Sequence, residues 1–343
     1  MNYFNKNING SNWRISQCCQ FHDKILAKRY NFGTVTKTYA LKEGGKEKVQ
    51  AKALDNCKKL VDILDTYFAK QPINLRSFRI SSQLFPCYTL EFAKPWYEEI
   101  WPNIEKLLSY AGTVAKNNSI RLSTHPAQFT VLGSNNADVV ANSILDLEYH
   151  ALFGSLMHLD PEDFVMNIHL QGLYGGKHID GINRFAKNFD YLSDYAKKCL
   201  AVENEDKHKA GYNINHVLEL CDKIPTRATL DIHHYECMQQ KEGDWLTAND
   251  SLFQSAVKTW KNSRPLFHIS QTIIDKNGIE GRMNAHSDIL HDRERLSNFV
   301  PMLQYADFDI EAKFKEVAVK DAYSYILEEE LFAGENITVK NCY

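Results

Sequence analysis

The chain has 343 residues, a formal net charge of −3, 44% hydrophobic residues and 24% charged residues. This composition is that of a globular protein and excludes disordered and fibrous classes. No run approaches the ~18–20 apolar residues that cross a bilayer, and Met1–Gly10 lacks the apolar core of a secretory signal. We therefore expect a cytoplasmic protein (nuclear in a eukaryote) that is neither secreted nor bound to a membrane.

Short β-prone apolar runs alternate along the chain with segments of helical periodicity. Residues 49–68, 98–116 and 182–196 each place apolar side chains on one helical face. The polar segment 33–48 is typical of a surface loop, and 321–343 of a C-terminal helix and tail. The eight runs are Trp13–Gln17, Leu75–Ile80, Ile120–Ser123, Phe164–Ile168, Cys199–Val202, Thr226–Leu230, Pro265–Ile269 and Ala306–Ile310.

Strands that alternate with helices predict a parallel sheet. Eight such units in a chain of this length favour a closed (β/α)8 TIM barrel over an open doubly wound sheet. No G-x-G-x-x-G follows the first strand, which argues against a dinucleotide site. Because no linker composition divides the chain, we expect residues 1–343 to form a single domain.

Side chains that bind metals follow the strands in run after run. The carboxyl ends of barrel strands face one shared mouth, so these side chains are expected to meet there. Spacing alone does not choose between His233 and His234 after the sixth run. The strand-end residues are His125 (third run), His169 (fourth), Glu203 (fifth), Asp231 with His233 and His234 (sixth), His268 (seventh) and Glu311 (eighth), with His286 in the loop after the seventh.

A converging set of carboxylates and imidazoles is costly unless cations neutralise it. The mixed nitrogen and oxygen ligands suit two or three Mn²⁺ or Zn²⁺ ions. Such a site can generate hydroxide and stabilise the leaving oxygen of a phosphate ester. A near-neutral chain argues against a broadly basic DNA-binding surface, but bound cations would supply positive charge at the mouth. Arg79 and Arg121 lie inside strands, where each either pairs with a ligand carboxylate or closes the barrel floor.

Several motifs in order give the chain a family resemblance over roughly residues 75–320. They are Phe-Arg-Ile-Ser-Ser at 78–82, Arg-Leu-Ser-Thr-His-Pro-Ala-Gln-Phe at 121–129, Asn-Ile-His-Leu-Gln-Gly at 167–172, Val-Glu-Asn-Glu-Asp at 202–206, Leu-Asp-Ile-His-His at 230–234, His-Ile-Ser at 268–270, His-Ser-Asp at 286–288 and Asp-Ile-Glu-Ala-Lys-Phe-Lys-Glu at 309–316. With these motifs the chain resembles the UV damage endonuclease family, relatives of the endonuclease-IV-like barrel nucleases.

This resemblance implies a Mn²⁺-dependent repair endonuclease that nicks damaged double-stranded DNA 5′ to pyrimidine photoproducts and, in some members, at other lesions. We expect the protein to act as a monomer. The resemblance also implies that Glu203, Asp231 and Glu311 hold the catalytic cations. Lys313 either contacts DNA phosphate or organises the metals, or it is simply a solvated lysine. The implied metal ligands are His125, His169, Glu203, Asp231, His234, His268, His286 and Glu311.

The resemblance further implies a DNA-binding set. Gln128 and Phe129 match the pair that wedges into the duplex beside the lesion, where an amide and a ring replace lost pairing and stacking. Lys177 is expected to contact DNA phosphate, and Gln17, after the first strand, to probe the lesion.

Four positions depart from the family pattern. Phe129 stands where Tyr is usual, and Leu266 replaces a metal-binding lysine. Between Cys87 and Ala93 only Glu91 could coordinate a metal, where the family often has a histidine. The first strand lacks the usual Gly-Tyr, and Ser16, Gln17 and Phe21 occupy the matching register.

Two other functions fit parts of the pattern. A divalent-metal sugar isomerase or epimerase on the same barrel would use similar ligands with fewer histidines, but it gives Gln128 and Phe129 no task. A lesion-binding protein without catalysis would fit the altered first strand and Leu266.

Overall fold

Eight parallel strands form the centre of the computed structural model, which describes residues 13–207, 211–239, 245–275, 277 and 279–340, with side chains through residue 328. The strands pair in the order β6-β5-β4-β3-β2-β1-β8-β7. The two ends of this order meet where His268 N donates to Leu230 O at 3.0 Å, which closes the sheet as predicted for a (β/α)8 barrel. The strands are β1 (Ile15–Gln17), β2 (Ser77–Ile80), β3 (Arg121–Thr124), β4 (Val165–His169), β5 (Leu200–Glu203), β6 (Arg227–Thr229), β7 (Leu266–Ile269) and β8 (Asp307–Ile310).

Helices surround this barrel and bury their apolar faces against it. In α4, Ile100, Ile104, Leu108 and Ala111 are buried, and their spacing puts them on one face, as the periodicity predicted. None of the helices among the described residues is long and apolar enough to cross a membrane. The helices are α1 (Lys24–Tyr30), α2 (Lys37–Ala40), α3 (Gly45–Asp62), α4 (Lys94–Asn117), α5 (Ala137–Leu156), α6 (His178–Phe189), α7 (Asp194–Cys199), α8 (Ile214–Lys223), α9 (Ile232–Gln239), α10 (Ser251–Lys258), α11 (Arg293–Phe299) and α12 (Glu316–Lys340).

The prediction of one continuous helix over residues 182–196 is wrong. The structure has two helices there, α6 and α7, separated at residues 190–193. The Ser193 side chain accepts a hydrogen bond from Ala196 N and thereby caps a new helix. Apolar periodicity continues through this break, because Phe189, Leu192 and Ala196 are all buried.

The predicted loop at 33–48 also contains helical structure. Thr36 caps the short helix α2, and α3 begins at Gly45. A Cβ atom at Gly45 would lie 2.0 Å from Ala40 O, so the close approach of the two helices requires glycine. At the other end α12 begins at Glu316, before the expected 321, and residues 341–343 lie outside the described residues.

The floor of the barrel is held by one buried carboxylate. Asp307, 1% exposed at the start of β8, accepts hydrogen bonds from Arg14 N (2.9 Å), Arg121 Nη1 (2.7 Å) and Arg264 Nε (2.6 Å). These three donors precede or begin β1, β3 and β7. Of the two roles considered for Arg121, the structure therefore shows the second, in which Arg121 closes the barrel floor. Burial alone would raise the pKa of Asp307, but Arg264, Arg121 and Arg14 hold that pKa below its ordinary value.

We predict that Asp307→Asn lowers the free energy of unfolding by about 3–5 kcal/mol at pH 7, because it leaves buried guanidinium groups without a counter-charge. An unfolded aspartate titrates near ~3.9. Since the pKa of Asp307 in the folded protein is lower, its stabilisation is complete above the unfolded pKa and is lost as pH falls through the folded pKa. Urea unfolding from pH 7 to pH 3 measures the free energy of unfolding of the wild type and of the variant, and the difference between the two should become smaller as pH falls.

The matched control is Asp222→Asn, because Asp222 is exposed on α8. It should change stability by less than about 0.5 kcal/mol. A loss that is equally small for Asp307→Asn would contradict the assignment of the floor to this carboxylate.

Candidate metal centre

The strand-end side chains converge on Glu203 at the carboxyl end of β5. This carboxylate is 0% exposed, and His169 pairs with it in register across β4 and β5. Neighbouring strands thus bring together residues far apart in sequence. Four imidazole nitrogens lie near its oxygens: His125 Nε2 (3.3 Å), His169 Nε2 (3.4 Å), His234 Nδ1 (3.2 Å) and His268 Nδ1 (3.2 Å).

Asp231 and Glu311 extend this cluster on the side of β6 to β8. Asp231 Oδ2 lies 3.8 Å from His234 Nδ1. Glu311 places its carboxylate 3.4 Å from His268 Nδ1 and 3.8 Å from His286 Nδ1. Three groups have possible ligand atoms within 4.8 Å of one another, namely His125–His268–Glu311, His125–His169–Glu203 and Glu203–Asp231–His234.

Three buried atoms in the cluster lack hydrogen bonds within the described part of the chain, and this bears on whether the cluster can hold cations. Glu203 Oε1, Asp231 Oδ2 and His268 Nδ1 have no hydrogen-bond partner among the described residues. They face charged neighbours but make no hydrogen bond to them, and a buried polar atom left without one costs about 1–3 kcal/mol, more if it is charged. Divalent cations would satisfy these atoms, and the oxygen and nitrogen donors match those of Mn²⁺ or Zn²⁺ sites. The cluster is therefore consistent with divalent metal binding.

The hydrogen bond of His125 supports the same reading. His125 Nδ1 lies 2.8 Å from Pro126 O. Because a carbonyl oxygen only accepts hydrogen bonds, Nδ1 carries the proton in the neutral ring. Nε2, which lies 3.3 Å from Glu203, is left with its lone pair, which is the usual arrangement of histidines that bind metals. In His234 and His286, by contrast, Nδ1 lies near both a backbone carbonyl and a carboxylate of the cluster.

The side chains of the cluster form an ion-pair network among themselves. Burial alone would raise the pKa of Glu203, but His268 and His169 hold that pKa well below its ordinary value. Burial does raise the pKa of Asp231. Although burial opposes it, Glu203 and Glu311 raise the pKa of His268 to about 9. The positive charge of protonated histidines thus balances the ionised Glu203.

Two polar residues that the sequence analysis missed hold the ligands in place. Asn167 donates a hydrogen bond from Nδ2 to Glu203 Oε2, and its position two residues before His169 in β4 was the available signal, since alternate residues share a face. Asn204 accepts from Asp231 N (2.9 Å) and donates to Asp231 O (3.0 Å). No pattern in the sequence indicated that pairing.

Arg79 pairs with a carboxylate of the cluster. Its Nη1 lies 2.6 Å from Glu311 Oε1, and its Nε lies 2.9 Å from Asp309 Oδ2. Of the two roles considered for Arg79, the structure gives it the ligand carboxylate. His234 belongs to one of the three groups, whereas the ring of His233 lies beside His286 with centroids 5.6 Å apart.

The residues expected to bind DNA lie in different environments. Gln128 is exposed and Phe129 is 71% exposed, on a turn after β3. Lys177 and Lys313 are exposed, in the loops after β4 and β8. Gln17 is 3% exposed, and its Nε2 donates to Gln20 O at 3.1 Å. The geometry brings the expected ligands together and leaves Gln17 apart, and the roles of all these residues stay predictions.

We predict that cation binding releases protons and strengthens as pH rises toward about 9. The raised pKa values of His169 and His268 mean that protons must leave these rings before they coordinate a cation. Calorimetric titration with Mn²⁺ in two buffers of different ionisation enthalpy measures the protons released. Equal affinity at pH 6.5 and pH 8 would contradict the prediction.

Comparison with known proteins places this chain in a family. The model of the family UV-endonuclease UvdE matches residues 17–340. The UV-damage endonuclease of Neurospora crassa is 32% identical over 286 residues, which are 81% of this chain and 41% of that protein. The UV DNA damage endonuclease of Clostridium perfringens is 30% identical over 279 residues, 79% of this chain and 64% of that protein. The chain thus spans less than two thirds of the length of either relative.

Solved structures agree in fold. The crystal structure of SacUVDE is 25% identical, covers 93% of this chain and 99% of that chain, and has a TM-score of 0.74. Endonuclease IV from Thermus thermophilus shares only the barrel fold. It is 13% identical, with a TM-score of 0.51 over 82% of this chain and 94% of that chain. With the family match across nearly its whole length, the chain belongs to the UV-endonuclease UvdE family.

Proposed function

We propose that this protein is a metal-dependent DNA repair endonuclease that hydrolyses the phosphodiester 5′ to UV photoproducts in double-stranded DNA. The observation that carries the proposal is the convergence of four histidines on the buried carboxylate of Glu203 at the mouth of the barrel. Family membership supports the same activity. We propose that the enzyme acts as a monomer in the cytoplasm or nucleus, where its substrate is found.

The cations are proposed to be two or three Mn²⁺ ions, with Zn²⁺ as the alternative. When bound, they supply a nucleophile at neutral pH and neutralise the charge that develops on the phosphate. Glu203, Asp231 and Glu311 would hold them, together with the histidines of the cluster. Lys313, exposed two residues after Glu311, is proposed to pair with phosphate as the strand enters the mouth.

Recognition of the lesion is proposed to use the exposed turn after β3. Gln128 and Phe129 project from the barrel while Pro126 and Thr130 on either side are buried. An amide and a ring on a fixed base can enter a duplex and replace the pairing and stacking of a displaced nucleotide. Lys177 would contact the backbone nearby, and Gln17 is proposed to contact the lesion after a change of its side-chain rotamer.

We predict that the protein with Mn²⁺ nicks UV-irradiated duplex and leaves unirradiated duplex intact. Glu203→Gln should lower the rate by on the order of 10²- to 10³-fold, because it removes a charge from the centre of the ligand set. Gel analysis of end-labelled DNA measures the rate and also shows on which side of the lesion the strand is cut.

Glu328→Gln, on the exposed side of α12, is the matched control and should nick at the wild-type rate. Equal nicking of irradiated and unirradiated DNA would remove lesion specificity from the proposal. Full activity in the presence of EDTA would remove its metal dependence.

We predict that Phe129→Ala lowers kcat/KM on irradiated duplex by about 5- to 100-fold, the value of one base–aromatic stacking contact. Phe129→Tyr should retain activity, since it keeps the ring. Tyr191→Ala is the control, because Tyr191 is 65% exposed and lies between α6 and α7, away from the mouth. Equal effects of Phe129→Ala and Tyr191→Ala would contradict a wedge at Phe129.

A further inference from the structure

A stripe of polar side chains runs along the inner face of α5. Ser143, Asp146 and His150 are spaced by three and four residues, so they lie on one side of the helix. Ser143 and His150 are each 1% exposed. This "α5 stripe" (Ser143, Asp146 and His150) belongs neither to the metal cluster nor to the apolar core, and its polar atoms need partners.

The partners come from two loops at the mouth of the barrel. Thr130 Oγ1 donates to Asp146 Oδ2 at 2.5 Å, and Val131 N donates to Ser143 Oγ at 2.7 Å. Both bonds hold the segment just after Gln128 and Phe129. On the other side His150 Nε2 lies 2.9 Å from Ser82 Oγ, in the loop after β2.

The direction of the His150 bond follows from its second nitrogen. Nδ1 lies 2.7 Å from Asp146 O, which only accepts, so Nδ1 carries the proton. Nε2 therefore accepts the hydrogen bond that the Ser82 hydroxyl donates. Burial lowers the pKa of His150 and keeps this ring neutral.

The turn that these bonds hold is the one that carries the exposed pair. Thr130 N donates to Ala127 O at 2.9 Å, so Gln128 and Phe129 are the two central residues of a turn whose last residue is Thr130. Thr130 is 2% exposed, whereas Phe129 is 71% exposed. The turn thus has a base fixed to α5 and a free tip.

We propose that Asp146 is a positioning residue that holds the Ala127–Thr130 turn rigid against α5, so that Gln128 and Phe129 can force open a paired duplex. This inference rests on the proposed function. A wedge must overcome the pairing and stacking that hold a nucleotide in the duplex. If the base of the turn moves, Gln128 and Phe129 are displaced from the position in which they separate the bases. Small displacements of this kind lower reaction rates by large factors.

The test compares two substrates that differ only in whether the lesion is already unpaired. One is a fully paired duplex with a defined photoproduct, and the other carries the same photoproduct inside a short mismatched bubble. Thr130→Val and Asp146→Ala each break the bond at the base of the turn, whereas Thr130→Ser and Asp146→Asn keep a donor and an acceptor there. Asp138→Ala removes an exposed carboxylate from the same helix as the control.

We expect Thr130→Val and Asp146→Ala to lower kcat/KM on the paired duplex by about 10- to 100-fold and on the bubble by less than about threefold. Thr130→Ser, Asp146→Asn and Asp138→Ala should stay within about threefold of wild type on both. The double variant Thr130→Val/Asp146→Ala should lose no more than either single variant, because both break one bond.

Loss of activity on both substrates to the same extent would overturn the inference, since it would report a general structural defect, and thermal unfolding would show its size. Wild-type activity of Thr130→Val and Asp146→Ala on the paired duplex would overturn it as well. In both cases a wild-type enzyme that nicks the lesion leaves the proposed function standing. A wild-type enzyme that nicks neither substrate overturns both.

Discussion

The buried carboxylate of Glu203 is the constraint on which the mouth of the barrel depends. A fully buried anion is tolerated only when charges and hydrogen bonds surround it. Here the surroundings come from β3, β4, β7 and the start of α9, because His125, His169, His268 and His234 all reach it. The requirement to neutralise one anion thus ties together elements from distant parts of the chain, and the resulting cluster is consistent with divalent metal binding.

The barrel carries its buried charges in two layers of different character. On the floor, arginines that cannot lose their protons neutralise Asp307, so this layer is fixed whatever the solution contains. At the mouth, histidines surround the carboxylates, and a histidine proton exchanges for a cation near physiological pH. Arg79 forms an ion pair of the same permanently charged type with Glu311 at the mouth. A rigid floor below an exchangeable mouth suits a site that loads metal without unfolding.

Helix α5 connects this centre to the surface expected to meet DNA. His125 lies in the cluster and Phe129 lies at the tip of the turn, only four residues apart, so the cluster and the proposed wedge share one loop. The loop follows a strand at its start and is bonded to α5 at its end. A loop that is anchored to rigid elements at both ends keeps its side chains in more precise positions than an unanchored loop does.

The sequence by itself determined the eight strands, the closed barrel and the list of candidate ligands, because strand alternation and strand-end position are local signals. It did not determine that Asn167 and Asn204 hold Glu203 and Asp231, nor that the segment 182–196 breaks at Ser193. It also gave no role to His150, and it did not indicate that the side chain of Gln17 is turned inward with its Nε2 donating to Gln20 O. These features depend on which atoms from different elements come within hydrogen-bond distance. Only the tertiary structure decides that, since register and side-chain direction are set by packing across the whole barrel.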